Sequence, residues 1–201
     1  MAAGVSTTDY FTFTPNVSSE PLTISCWLYA ATLNNRTILS VFNGANYHRL
    51  MYLTTAGTAL ARSRAGGTFA SAQQAGLTAA AWHHVVGVWT SSTSRQVFID
   101  GSGGAVDTTS KTVGSVTSGD VATVINGGHT IADVSIWDVA LTQDEITSLS
   151  KGFSGSLIRP ASLQFHAPLI RNRLNVAGQS VSESGTITVE DHPPIIGAIA
   201  A

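Results

Sequence analysis

The chain reads as all-β: a two-layer antiparallel β-sandwich with one short helix near residues 142–151 and a C-terminal arm. Three observations predict this. Short alternating apolar runs recur along the chain and are closed by turn dipeptides such as Asn43-Gly44, Gly66-Gly67 and Asp100-Gly101, the spacing of a sandwich or barrel. The stretch Trp82 to Gly101, WHHVVGVWTSSTSRQVFIDG, reads as a hairpin whose first strand has apolar residues at both parities, so both of its faces must be covered. Helix signals of every kind meet at one place only, Thr142 to Lys151.

In chain order, Asp9–Thr14 is an opening strand ended by Pro15, and Leu22–Ala30 a longer one with clean alternation. Thr37–Phe42, Tyr47–Thr54 and Thr58–Ala65 follow as a meander of short strands with Gly-bearing turns. Thr68–Ala81 is rich in Ala, Gln and Ser, is interrupted by Gly76 and develops no apolar stripe; it reads as a short strand plus a loop. The central hairpin pairs Trp82–Thr90 with Arg95–Ile99 and ends in the Asp100-Gly101 turn. A buried Trp removes roughly 150–250 Å² from water, an upper bound on the order of 4–6 kcal/mol, so Trp82 and Trp89 are anchors. Gly87 between them is expected to admit a large side chain from the facing sheet.

Val121–Ile125 and Ile131–Trp137 are two further strands around Asn126-Gly127-Gly128. In the helix, Thr142 is the N-cap and Glu145 the third helical residue of a capping box, Ile146 and Leu149 face the core, and Lys151-Gly152 ends it. Ser162–Leu169 returns to strand. From Arg171 the composition turns polar, with a short strand at Thr186–Val189, then Pro193-Pro194 and an apolar end. Residues 1–170 therefore read as the domain and 171–201 as an extension.

Charged residues are 11% of the chain, against about 25% in an ordinary soluble protein, so the surface is neutral and polar. A net charge of −2 without a basic run argues against nucleic acid as a partner. No apolar stretch is long enough for a membrane span, and the N-terminus lacks the basic and apolar segments of a secretory signal. The sequons at Asn16 and Asn35 are accordingly read as chance. Cys26, the one cysteine, shares parity with Leu22, Ile24 and Leu28 and reads as core.

Trp82-His83-His84-Val85 with Phe98-Ile99-Asp100-Gly101, then Ile131–Trp137 and Ala140-Leu141-Thr142 with Glu145-Ile146, resembles the laminin G-like branch of the concanavalin A-like jelly rolls over roughly residues 5–170. The resemblance implies a structural role for the histidine of the Trp-His motif and, in many relatives, a calcium ion at the rim. A narrower resemblance, carried by Ile158-Arg159-Pro160, the stretch from Ser162 to Arg171 and Asp191-His192-Pro193, is to proteins of this type in tailed-phage virions.

Glycosidase chemistry on this fold needs two facing carboxyls. None of Glu20, Glu145, Glu183 and Glu190 has such a partner within a strand, so no catalytic residue is assigned and the chain is read as non-enzymatic. No cofactor is assigned. For calcium, Asp100 and Asp133 are the weak candidates, with Asp107 and Asp120 also near strand ends, and no dense acidic loop gathers them. Adjacent His83 and His84 point to opposite faces and cannot share a zinc ion.

The function expected from these readings is that of a virion protein assembled in the host cytoplasm, decorating or cementing a phage capsid. Its arm, through Ile187, Val189, Pro193, Pro194, Ile195 and Ile196, is expected to dock on a major capsid or other virion protein and on itself, as a trimer. The alternative is a lectin-like adhesion module that binds glycan through exposed aromatics, with Tyr47 and Tyr52 as candidates.

Overall fold

In the computed structural model, which describes residues 2–5, 10–14, 17, 19–53, 57–121, 129–169, 181–184 and 188–196, the alternating runs pair into two antiparallel sheets. The strands are β1 (Ala2–Val5), β2 (Tyr10–Phe13), β3 (Leu22–Tyr29), β4 (Arg36–Asn43), β5 (Asn46–Leu53), β6 (Thr58–Ala65), β7 (Thr68–Ala75), β8 (Trp82–Ser91), β9 (Ser94–Ile99) and β10 (Ser102–Gly103). They continue with β11 (Ser118–Val121), β12 (His129–Trp137), β13 (Leu163–Ala167), β14 (Val181–Ser184) and β15 (Thr188–Glu190). The first sheet runs β10-β9-β8-β3-β12-β1-β15, with β13 sharing the β1 edge of β12; the second runs β14-β2-β11-β4-β5-β6-β7.

Period-2 alternation decides which side chains meet. Leu22, Ile24, Cys26 and Leu28 of β3 and Val85 and Trp89 of β8 face inward, onto Leu39, Val41, Leu50, Ala61 and Ala72 of the second sheet. The outward residues of the first sheet are apolar too. Val86, Val88, Phe98 and Trp137 lie under Leu141 and, from helix α1 (Gln143–Ser150), Ile146 and Leu149. Further along, Ala2, Trp27 and Ala132 pack with Trp82 and Ile195. The expected cover on both faces of β8 is thus supplied inward by the second sheet and outward by a helix and the C-terminal segment.

The capping box of α1 forms as read: Glu145 N–H donates to the Thr142 hydroxyl, and Thr142 N–H to the Glu145 carboxylate at 2.7 Å. The Asp100-Gly101 turn has φ of 50° and 82°, the two left-handed residues of a type I′ hairpin. Gly87 needs correcting. A Cβ there would lie 2.6 Å from the Trp89 indole, on its own strand, and 3.3 Å from Leu50 across the core. The space is kept mainly for the neighbouring Trp.

Thr68–Ala75 is a full eight-residue edge strand, where the sequence suggested a short one. Its inward side chains, Ala70 and Ala72, are too small to give an apolar rhythm. The described strand here is Ser118–Val121, and beyond Val121 the expected strand Val121–Ile125 lies outside the described residues. The C-terminal segment is stitched to its own sandwich: β14 pairs with β2, β15 with β1, and Ile196 bridges Phe153 through Ile196 N–H to Gly152 O at 2.6 Å and Ser154 N–H to Ile196 O at 3.1 Å. The edges of β1 and β2 that a swapped arm would satisfy are therefore paired within the chain.

Candidate functional site

The sequence-predicted polar residues fall into three separate structural networks. At the start of β8, Thr78 N–H donates to His83 Nε2 at 3.0 Å, which leaves the proton on Nδ1 to donate to Asp100 Oδ2 at 2.7 Å. Asp100 Oδ1 accepts His84 N–H at 2.7 Å. The carboxylate thus ties the β9–β10 turn to β8. His84, on the opposite face, meets Ser25 Oγ at 2.9 Å, and burial pulls its pKa from 6.5 to about 4, against the opposing pull of Asp133 and Asp100.

Asp133 sits at a bulge in β12 with φ of 49°. Its buried carboxylate accepts from His166 Nε2 at 2.8 Å, Ser154 Oγ at 3.0 Å and Gly155 N–H at 2.9 Å. Serine, histidine and aspartate meet here, yet without a relay: Ser154 and Asp133 both approach the same ring nitrogen, with Ser154 3.4 Å from it, and Ser154 is fully buried. A nucleophile needs one nitrogen for each partner and access to substrate. The network instead fastens β12, β13 and the 154–155 turn.

In the third network the buried Arg95 pairs with Asp107 and donates to Ser92 O at 2.8 Å. These engagements decide the calcium question for the residues present. Asp100, Asp107 and Asp133 serve three different networks, and among the described residues no three His, Cys, Asp or Glu side chains converge. They do not fit a calcium cage.

What the fold does assemble is a cleft of about 340 Å³ on the outer face of the first sheet, lined by Tyr29, Trp82, Thr130 and Asp191. Cross-strand register creates it. Tyr29 of β3 lies opposite Trp82 of β8 on one side and Thr130 of β12 on the other, and the two rings stand 5.7 Å apart at 51°. Both aromatics are half-buried, while Asp191 is exposed beyond β15. Two rings, a hydroxyl and a carboxylate in one concavity match the needs of a sugar, whose apolar face stacks on a ring while its hydroxyls take polar partners.

Neither Tyr29 nor Thr130 stood out in the sequence, and Asp191 only as part of the Asp191-His192-Pro193 resemblance, since the lining comes from distant segments; the Tyr near the end of the Leu22–Ala30 strand and the first Trp of the hairpin were the available signal. Tyr47 lies on the other sheet, buried beneath the Arg49 guanidinium at 3.9 Å from its ring centre. Tyr52 is on β5 with its side chain outside the described residues. Of the arm residues, Ile187 is outside the described residues, as is the side chain of Val189 in β15. Pro193 is buried, Ile195 packs near Trp82, and Pro194 and Ile196 are exposed.

Residues 5–147 match the laminin G family profile of the concanavalin A-like lectin/glucanases superfamily. The chain belongs to this superfamily. Its fold is shared with a candidate carbohydrate binding protein from Bacteroides ovatus (TM-score 0.70, 15% identity, 96% of this chain and 61% of that one). It is also shared with the native heptameric SAP-like pentraxin of Limulus polyphemus (TM-score 0.65, 14% identity, 92% and 90%). The receptor binding domain of botulinum neurotoxin type G is a third (TM-score 0.56, 14% identity), of which the chain, 75% of it aligned, spans 46%. No curated protein shows significant sequence similarity to the chain. With this fold, the chain is a domain of the superfamily in which the three described polar networks are structural.

Proposed function

We propose that the chain is a carbohydrate-binding adhesion module whose sugar site is the cleft between Tyr29 and Trp82. The observation that carries this reading is the tilted aromatic pair opening onto Thr130 and Asp191. A pyranose face covers one ring, and the Asp191 carboxylate and Thr130 hydroxyl take two of its hydroxyls. Carbohydrate or receptor binding in the names of structures sharing the fold supports the same reading. The virion reading, with its trimeric arm docking on a capsid protein, has no comparable support. In this proposal the C-terminal segment works in its own chain, supplying Asp191 as one wall.

The test is a glycan array probed with the full chain, followed by calorimetry on the retained sugar. Tyr29→Leu keeps an apolar residue on β3 but removes the ring, and Asp191→Asn removes the charge. Each is expected to weaken binding about tenfold or more, the equivalent of about 1.4 kcal/mol. An array with no retained glycan, or variants that bind as tightly as the parent, would sink the proposal.

A further inference from the structure

The charge in the cleft is all of one sign. Among the described residues lining it, Asp191 is the one that carries charge, beside Tyr29, Trp82 and Thr130. Asp191 follows directly on β15, is exposed, and among the described residues joins no ion pair. Its neighbour His192 is engaged within its own segment, through Nδ1 to Pro193 O at 2.5 Å. The carboxylate is held in place from below. Ile195, on the same segment, packs into the outer cluster of Ala2, Trp27 and Ala132 on which Trp82 also rests, and Glu190, immediately before Asp191, is in register with Ala2. One small core thus sets both the Trp82 ring and the segment that carries the acid.

Two aromatic rings and an uncompensated carboxylate around one space suit a cation. Ring faces carry the negative end of the π quadrupole and attract ammonium groups, Trp most strongly. Here the rings stand 5.7 Å apart at 51° and border the same concavity as the carboxylate. A uronic or sialic acid would bring a like charge beside Asp191, and a neutral hexose would leave its charge unanswered. A hexosamine with a free amine combines the two things the lining offers to bind: a pyranose with an apolar face, and an ammonium attached directly to that ring.

We infer that the cleft selects amino sugars that carry a free amine, with Asp191 as the residue that sets the selectivity and Tyr29, Trp82 and Thr130 as the sugar platform. This rests on the reading of the cleft as a sugar site and names the substrate class of that site. Because Asp191 is exposed, its attraction for the ammonium is modest and is weakened by salt. N-acetylation of the sugar removes the charge and with it the preference.

The test is calorimetry of the full chain at low salt with a glucosamine tetramer and its fully N-acetylated counterpart, at about pH 6.5, below the ordinary range of an α-amino group. The free amine form is expected to bind roughly five- to tenfold tighter, as an exposed cation–π contact and a screened ion pair together allow. The ratio should shrink in high salt. Asp191→Asn should bring it to about twofold or less, and Asp191→Glu should retain most of it. Tyr29→Leu should weaken both tetramers, and tetralysine, which has the charge without the pyranose, should bind about tenfold more weakly than the glucosamine tetramer. An acetylated tetramer bound as tightly, a ratio unchanged in Asp191→Asn, or tetralysine bound as tightly would each overturn the selectivity, and would leave the cleft as a sugar site if Tyr29→Leu still weakened the tetramers. No binding of either tetramer would overturn the selectivity as well, and a glycan array without any retained sugar would remove the sugar site with it.

Discussion

On the first sheet the outward residues Val86, Val88, Phe98 and Trp137 are roofed by α1, and Trp27 and Ala132 pack with Ile195 of the C-terminal segment. On the second, the outward residues of β5, β6 and β7 include Tyr47, Arg49, Arg62, Arg64, Phe69 and Ser71, together with the buried Met51 and Leu60. The same alternation builds both. One sheet spends its outer face on a second, smaller core that carries stability, and the other mixes an exposed Phe69 and half-buried arginines with the buried Ser40, Met51, Leu60 and Asp120. The cleft lies where the first kind of surface runs out, at the open end of the Trp82–Tyr29–Thr130 row.

The comparison predicts unequal costs of truncation. Trp137 is fully buried between β12 and α1, and its Nε1–H donates to Ile158 O at 2.7 Å. Trp137→Ala should cost about 3–5 kcal/mol, read as a lowered urea midpoint with an unchanged slope. A loss below about 1 kcal/mol would mean that α1 is not a true roof.

Acid should act on the buried regions next. His48, His84 and His129 are each pulled by burial from 6.5 to about 4. For His48 and His84 nearby acids oppose that shift, Glu20 in one case and Asp133 with Asp100 in the other. Folded pKa values below the unfolded ones mean that the unfolded chain takes up protons first as pH falls. Stability is therefore complete above about pH 6.5, is lost between 6.5 and 4, and levels off below, by on the order of 1–3 kcal/mol per histidine. Urea titrations from pH 7.5 to 3.5 check this. A flat profile across that window would place the histidines in water.

The sandwich, the central hairpin, the helix and its capping box were legible because each rests on local signals: alternation, turn dipeptides and the Thr142–Glu145 spacing. The β7 strand was half legible, since alanines pack inward without announcing a period. Strands β1, β14 and β15 escaped or blurred because Ala-Ala-Gly-Val and Val-Ser-Glu-Ser are strands only by virtue of the edges they join. The candidate site was least legible: Tyr29, Trp82, Thr130 and Asp191 come from distant segments and line one cleft only in the folded chain. Asp100 and Asp133, conspicuous in the sequence, are held in structural networks.

The smallest expected effect is the most discriminating one. Arg62 and Arg64 are half-buried along their stems, and Arg62 packs over Phe69, so Arg62→Gln with Arg64→Gln loses some packing. It also removes the repulsion between Arg62 and the facing Arg49, a gain of roughly 0.2–1 kcal/mol. The two terms nearly cancel, and the double variant should unfold within about 0.5 kcal/mol of the parent at low salt. The difference should turn slightly less favourable as salt screens the repulsion that was relieved. A loss above about 2 kcal/mol would show the arginines to be part of the scaffold. A neutral result beside Trp137→Ala would show that Arg62 and Arg64 hold their charge at no benefit to folding.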